Sequence, residues 1–222
     1  MLVLALDTAT PAVTAGVVEL TADAVVPRSA HVVHDARKHT ELLMPAVLTA
    51  CADAGIALRE VGAVVVGTGP GPFTGLRVGM VTAAALGDAL GVPVHGVCSL
   101  DAIAADVTAQ GETGRLLVAT DARRREVYWA VYDASGARTD GPHVEAPASL
   151  AERGLAVAAA AGGSAEGLGF PVRGPASPSP AGLVAVAAPA LRAGVDPGPL
   201  EPLYLRRPDA APPGARKKVS TG

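Results

Sequence analysis

The segment from Gly67 to Gly75 constrains the fold more strongly than any other part of this sequence. It holds four glycines and two prolines within nine residues, between an apolar run and a stretch with helical spacing. Glycine loses much conformational freedom on folding, and proline fixes φ and removes an amide donor, so such a run indicates a tightly specified backbone path. We therefore predict a fixed turn that joins a buried strand at Val61–Gly67 to a helix at about Thr74–Leu90.

Around this turn the sequence alternates between strand and helix patterns. Three β-rich segments near the N-terminus are close enough in sequence to pair as antiparallel hairpins, and Thr40 is the predicted N-cap of the helix that follows. We predict strands at 2–6, 12–20, 25–33, 61–67 and 92–97, and helices at about 40–54, 74–90 and 99–108. This order is typical of an α/β fold with a mixed sheet, and we interpret residues 1–110 as one complete ribonuclease-H-like lobe.

The second half of the sequence has weaker patterns. A hairpin is predicted from Arg115–Asp121 and Glu126–Asp133, with a charged tip of Ala122 and three arginines that can also dock a partner. Residues 146–199 are rich in Ala, Gly and Pro, and their structure stays open at this stage. We predict a reduced C-terminal lobe at residues 111–205 and a disordered basic tail at residues 206–222.

Composition excludes several classes of protein. Half of the residues are apolar but only 3% are aromatic, so Ala, Val and Leu must form a closely packed core. The formal net charge is -3, without the basic excess of nucleic-acid-binding domains, so any contact with nucleic acid is local or is made by a partner. The two cysteines lack metal-site spacing, and the sequence shows no signal peptide and no membrane-length apolar run. We expect a cytoplasmic protein.

Two sets of residues are candidates for ligand contacts. Asp7 follows the first buried strand, where an acid can orient a metal-bound phosphate or can cap the turn through the backbone. Gly69, Gly71 and Thr74 stand at the predicted N-terminus of a helix, whose free amide groups can receive an anion. The spacing is equally compatible with a purely structural turn. Because no Gly-Lys-Ser/Thr follows, the segment is not a P-loop.

The predicted helix at 74–90 carries a stripe of small residues. Gly75, Gly79, Ala83 and Gly87 repeat every four residues, and each glycine inside a helix costs about 1 kcal/mol relative to alanine. Close packing of another element on the stripe would offset this cost, and that element is either the chain's own sheet or a second subunit. In the second case the expected interface consists of Leu43, Val47, Gly75, Leu76, Gly79, Met80, Ala83 and Gly87.

Several motifs of the sequence resemble those of the TsaB family. They are LALDTAT at 4–10, HTELLMP at 39–45, GPGPFTGLRVG at 69–79, DARRREVY at 121–128 and PLYLR at 202–206. The third is the most specific of them, and the resemblance covers residues 2–133 together with the short segment near 202. It implies a two-lobed fold of the actin, hexokinase and Hsp70 kind, complete in the first lobe and reduced in the second.

The resemblance also implies a role. TsaB is the non-catalytic scaffold subunit of the bacterial complex that places threonylcarbamoyl on adenosine in tRNA. Its paralogue TsaD, the transferase, carries an HxxxH metal pair after the strand that corresponds to Val92–Val97 here. In that register this sequence has Ser99 and Ile103, which do not replace histidine ligands. We therefore expect no catalytic residue, no metal and no cofactor in this chain.

The implied partners are a TsaD-like transferase, bound through helices of the N-terminal lobe, and a TsaE-like ATPase, with indirect tRNA contact and no membrane contact. Gly162-Gly163-Ser164-Ala165 is the only candidate for the nucleotide loop of the second lobe. Two alternatives stay open. An ATP-dependent phosphotransferase of the same superfold would need a catalytic acid across the cleft from Asp7, and a homodimeric binding protein would use the same small-residue stripe.

Overall fold

The chain forms two mixed β-sheets with helices packed on them. The computed structural model describes residues 1–35, 38–112 and 114–206. The first sheet consists of strands between Leu2 and Val97, and the second of strands between Leu116 and Ala161. This arrangement confirms the predicted α/β class with two sheet-containing lobes.

The first sheet contains six strands, and its centre is buried on both faces. They are β1 (Leu2–Asp7), β2 (Ala12–Leu20), β3 (Val25–Pro27), β4 (His31–His34), β5 (Ala63–Gly67) and β6 (Val94–Val97). β1 pairs antiparallel with β2 and parallel with β5, which in turn pairs parallel with β6. The carboxyl ends of β1, β5 and β6 therefore meet at one edge of the sheet, where Asp7 lies.

The second sheet contains four strands. They are β7 (Leu116–Asp121), β8 (Val127–Tyr132), β9 (Arg138–Glu145) and β10 (Ala159–Ala161), and their spatial order is β10-β7-β8-β9. β7 and β8 pair antiparallel along their whole length, which confirms the predicted hairpin. Its tip points toward the same side of the molecule as Thr8 and Thr10, because Asp121 and Arg123 line a cleft with them.

Five helices connect and cover the two sheets. They are α1 (His39–Asp53), α2 (Phe73–Leu90), α3 (Ser99–Ala109), α4 (Pro147–Glu152) and α5 (Pro180–Arg192). α1 and α2 pack on one face of the first sheet, and α5 packs on the other. α3 lies between α5 and the second sheet, while α4 covers the outer face of that sheet. None of the helices in these described ranges has the length and apolar character of a membrane span.

One predicted strand is divided in the structure. The segment 25–33 forms β3 and β4, which pair with different parts of β2. Ser29 lies between them and makes other hydrogen bonds: its hydroxyl donates to the Ala50 carbonyl at 2.7 Å and accepts from the Val17 amide at 3.1 Å. The chain leaves the sheet at this point because Ser29 ties it to α1.

The two N-terminal helices begin one residue earlier than predicted. Thr40 and Thr74 are each the second helical residue, behind N-caps at Lys38 and Pro72, so neither threonine caps a helix. Pro72 accounts for the second case, because its φ of -61° and ψ of 136° supply the extended residue that precedes a helix. Gly91 follows the last residue of α2 with a φ of 66°, a left-handed conformation that glycine adopts readily.

The open segment 146–199 contains α4, β10 and α5. α5 follows the second sheet in sequence but packs on the first, so the last helix of the described residues returns to the N-terminal lobe. Ser179 caps it, accepting the Gly182 amide at 3.0 Å. The predicted basic tail lies outside the described residues from Arg207 onward.

Candidate functional site

Asp7 is fully buried and is hydrogen-bonded inside the chain. Its Oδ1 accepts from the Ala9 amide at 2.9 Å, and its Oδ2 accepts from the Ser99 hydroxyl at 2.5 Å. Burial raises the pKa of Asp7 to about 6, although these hydrogen bonds act in the opposite direction. Gly67 makes room for the carboxylate, since a Cβ there would overlap it. Asp7 therefore caps its turn and joins β1 to α3, and none of its surface is exposed.

The two positions that correspond to the metal pair of TsaD also lie inside the chain. Ser99 is the first residue of α3 and donates its hydroxyl to Asp7. Ile103, one turn later, belongs to the apolar core between α3 and the second sheet. Among the described residues, no three His, Cys, Asp or Glu side chains are grouped as metal ligands would be.

The Gly-rich turn between β5 and α2 packs against the chain's own backbone. A Cβ on Gly71 would overlap the backbone of Ala9, and a Cβ on Gly69, whose φ is 98°, would lie 2.9 Å from Leu76. The Gly69 carbonyl also accepts the Ser99 amide at 2.7 Å. Both glycines are buried, so of the predicted ligand residues only Thr74 is exposed on an open cleft.

This cleft lies between the two lobes and is small. Its volume is about 130 Å³. Its residues are Thr8, Thr10, Pro11, His39, Thr40, Pro72, Thr74, Gly75, Val78, Asp121 and Arg123. Ligand pockets generally have volumes of roughly 300–1,000 Å³. The cleft is therefore smaller than a typical ligand pocket.

The residues of the predicted interface lie in the interior of the chain. All eight are buried: Leu43, Val47, Gly75, Leu76, Gly79, Met80, Ala83 and Gly87. The Thr8 hydroxyl donates to the Gly75 carbonyl at 2.7 Å and accepts the Gly79 amide at 3.0 Å, and Gly87 packs against Val94. The small-residue stripe thus allows α2 to approach its own sheet closely. These eight residues are buried within the chain, and the prediction that they form an interface with a second subunit stays a prediction.

The opposite face of α2 carries exposed apolar side chains. Phe73 is 50% and Val81 is 66% exposed, with the exposed Arg77 between them at a spacing of four residues. We define the outer face of α2 as Phe73, Thr74, Arg77, Val78, Val81 and Thr82, with Thr40 of α1 beside them. Leu48, also on α1, is 56% exposed. Exposed apolar residues that are grouped on one surface are typical of protein–protein contacts.

A larger groove runs beside the N-terminus of α2, and its volume is about 640 Å³. We call it the Arg–aromatic groove, and it consists of Gly71, Pro72, Phe73, Arg77, Ala122, Arg123, Arg124, Tyr128, Tyr204, Leu205 and Arg206. Sequence analysis missed this groove because it joins three segments that are far apart in the chain. The available signals were the arginine run at the hairpin tip and the PLYLR motif, which the structure brings together.

Stacked rings form one wall of the Arg–aromatic groove. The rings of Phe73 and Tyr204 stack with their centroids 5.3 Å apart and an interplanar angle of 26°. The Arg77 guanidinium lies 3.8 Å from the Phe73 ring centroid, and its Nε donates to the Tyr204 hydroxyl at 3.0 Å. These cation–π and hydrogen-bond contacts hold residue 204 against α2.

The hairpin tip forms the other wall. Arg123, Arg124 and Arg125 have φ values of 62°, 52° and 62°, and left-handed backbone costs roughly 1–2 kcal/mol per residue when a side chain is present. Two bonds hold this path: the Asp121 carboxylate accepts the Arg123 amide at 2.9 Å, and the Glu126 amide donates to the Arg123 carbonyl at 3.0 Å. Backbone strain of this kind concentrates at functional sites.

Comparison with known proteins identifies relatives along most of the chain. The family model described as TsaD, tRNA N6-adenosine threonylcarbamoyltransferase, matches residues 21–184. A protein of Mycobacterium tuberculosis strain H37Rv, described as uncharacterized, is 55% identical over 211 residues, which are 95% of this chain and 94% of that protein.

Two further relatives have more informative descriptions. The tRNA threonylcarbamoyladenosine biosynthesis protein TsaB of Escherichia coli K12 is 38% identical over 132 residues, which are 60% of this chain and 55% of that protein. The solved structure of YeaZ from Pseudomonas aeruginosa superposes with a TM-score of 0.72 at 29% identity, over 92% of this chain and 99% of that one.

Proposed function

The chain belongs to the family described as TsaD, tRNA N6-adenosine threonylcarbamoyltransferase, and we propose that it is a non-catalytic subunit that pairs with a TsaD-like transferase. Its resemblance to TsaB agrees with the similarity to the Escherichia coli protein of that name. The biosynthesis of threonylcarbamoyladenosine in tRNA is therefore the process in which it acts.

The state of Asp7 is the observation that carries the non-catalytic assignment. This carboxylate ends β1, where a phosphotransferase of the same superfold would need an acid facing its substrate. Instead it is buried and accepts hydrogen bonds from Ser99 and the Ala9 amide. The adjoining cleft, at about 130 Å³, is smaller than ligand pockets generally are. Both facts favour a scaffold over a phosphotransferase.

The outer face of α2 is the surface that we assign to the transferase. The opposite face of the helix is occupied by the chain's own sheet, so a partner that contacts α2 has this face available. Val81 supplies exposed apolar area there, and Leu48 of the neighbouring α1 adds to it. Phe73 and Arg77, at the edge of this face, belong to the Arg–aromatic groove. The proposed assembly also contains a TsaE-like ATPase, and in the absence of the transferase the same face serves a second copy of this chain.

Co-purification with the TsaD-like protein of the same host tests this assignment. We expect the tagged wild-type chain to retain the transferase and Val81→Arg to lose it, because the substitution places a charge within an apolar contact. Val195→Arg is the matched control: Val195 is 54% exposed and lies after α5, away from α2. Thermal unfolding of both variants should equal that of the wild type, since both side chains are exposed.

Two results would contradict the proposal. Equal retention by Val81→Arg and Val195→Arg would remove the outer face of α2 as the contact surface. A wild-type chain that binds no transferase and hydrolyses ATP by itself would support the phosphotransferase alternative instead.

A further inference from the structure

We propose that the Arg–aromatic groove binds a single-stranded segment of RNA, with phosphates against its arginines and a base stacked on an exposed ring. The inference rests on the proposed function, because the process to which we assign this chain modifies tRNA. It differs from the sequence-based expectation that contact with tRNA is indirect.

The groove concentrates positive charge in a chain that is acidic overall. Its arginines are Arg77, Arg123, Arg124 and Arg206, and none of the described residues that line it carries a carboxylate. Asp121 pairs with Arg123 at 3.6 Å, and Glu126 pairs with Arg206. Since the formal net charge of the chain is -3, attraction of RNA requires a local field of this kind.

The aromatic residues provide the second half of the recognition chemistry. Phe73 and Tyr204 are 50% and 41% exposed. The two rings stack on each other, and Arg77 lies over the Phe73 ring and donates to the Tyr204 hydroxyl, so both rings are held before any ligand binds. Every base has a π-face, so a base can stack on such a ring whatever its sequence. Arginines that follow a backbone beside exposed aromatic rings are the usual combination in proteins that bind single strands.

The distribution of the arginines favours a strand over a single phosphate group. They come from three chain segments: α2, the hairpin tip and the residues near Tyr204. Such a spread suits successive phosphates along a backbone.

Fluorescence anisotropy of the full chain with a labelled single-stranded RNA of about ten nucleotides tests the inference. We expect the combination of Arg123→Glu and Arg124→Glu to weaken binding at least about tenfold. The slope of log affinity against log salt concentration should also become smaller in magnitude by about 1.4, because each of two lost phosphate contacts contributes about 0.7. The matched control combines Arg59→Glu with Arg173→Glu, which makes the same charge change at exposed arginines outside the groove.

A second pair of variants tests the stacking. Tyr204→Ala should weaken RNA binding about tenfold, whereas Tyr204→Phe, which keeps the ring and removes the hydroxyl, should retain it. The hairpin arginines and Tyr204 are exposed, so unchanged thermal unfolding of these variants is expected and separates a binding defect from misfolding.

Several outcomes would overturn the inference. The first is that the groove variants and the control variants bind the RNA equally well. The second is that binding is lost only when Lys217→Glu is combined with Lys218→Glu. The third is that ADP or polyglutamate displaces the labelled RNA as effectively as unlabelled RNA does. These results would assign the RNA contact to the tail, or the groove to a free nucleotide or an acidic protein. The failure of the proposed function is distinguishable, because pairing with the transferase is measured in the separate co-purification assay, which contains no RNA probe.

Discussion

At the scale of single residues, Asp7 couples the stability of the chain to pH. In the unfolded chain its carboxyl has an ordinary pKa of 3.8, and in the folded chain burial raises this pKa to about 6. Between these values the folded chain binds one more proton at Asp7 than the unfolded chain does. The stabilisation from protonated Asp7 is therefore fully present below pH 3.8 and is lost as the pH rises through about 6.

The substitution Asp7→Asn should remove this dependence. Urea unfolding of both chains at pH 4 and at pH 7 should show that the free energy of unfolding of the wild type, relative to that of the variant, falls by about 2 kcal/mol over this range. The control is Asp133→Asn. Hydrogen bonds from Ser135 lower the pKa of Asp133 below 3.8, so its stabilising effect is lost only at lower pH and the corresponding difference should stay nearly constant between pH 4 and pH 7. If the difference in stability between the wild type and Asp7→Asn does not change with pH, the pKa of Asp7 is the same in the folded and the unfolded chain, and burial does not raise it.

At the scale of elements, the two faces of α2 have separate uses. Gly75 and Gly79 let the helix approach Thr8 so closely that its hydroxyl bonds to the helix backbone at both positions. The apolar residues of the outer face are left exposed. A four-residue repeat of small residues was correctly taken as a close-packing surface, but the repeat itself does not identify what packs on it.

Gly79→Ala should destabilise the chain by about 1–3 kcal/mol, although alanine favours a helix by about 1 kcal/mol over glycine. The added methyl would overlap the Thr8 hydroxyl, so one of the two must move. Denaturant unfolding measures the loss. In a Thr8→Ala background the same substitution should cost less, because the overlapping atom is gone. Equal costs in both backgrounds would contradict this account of the stripe.

At the scale of the whole molecule, α5 joins the two lobes. It follows the second sheet in sequence, yet its Leu183 and Val184 pack in the core of the first. Its N-terminus is tied to α3, since the Ser179 hydroxyl donates to Asp106 at 2.6 Å. α3 in turn packs on the second sheet. We therefore expect the two lobes to unfold as one cooperative unit.

Leu183→Ala should lower the free energy of unfolding by about 2–5 kcal/mol, because it leaves a cavity in the core between α5 and the first sheet. Trp129, the only tryptophan of the chain, is buried in the second sheet and reports on that lobe by fluorescence. In Leu183→Ala, the denaturant midpoint measured by Trp129 fluorescence should shift together with the midpoint measured by far-UV circular dichroism. Leu48→Ala, at a side chain that is 56% exposed, should change neither midpoint by much. If the fluorescence midpoint of Leu183→Ala equals that of the wild type, the two lobes unfold independently of each other.

The sequence by itself determined the features that depend on local periodicity and turn chemistry. Apolar runs predicted β1 and β5, the Gly- and Pro-rich run predicted the turn before α2, and the segments on either side of the arginine run predicted the β7–β8 hairpin. Local pattern failed in the Ala- and Pro-rich segment that forms α5, because an apolar run of small residues does not distinguish a helix from a buried strand.

Only the tertiary structure decided which surfaces are free and which side chains meet. The stripe on α2 and the carboxylate of Asp7 are suited to a partner or a ligand as far as sequence can tell, and the fold uses both internally. The outer face of α2 and the Arg–aromatic groove became visible only when distant segments were placed side by side. The physical reason is that burial and long-range proximity belong to the packed chain, whereas hydrophobic spacing and backbone preference belong to each segment.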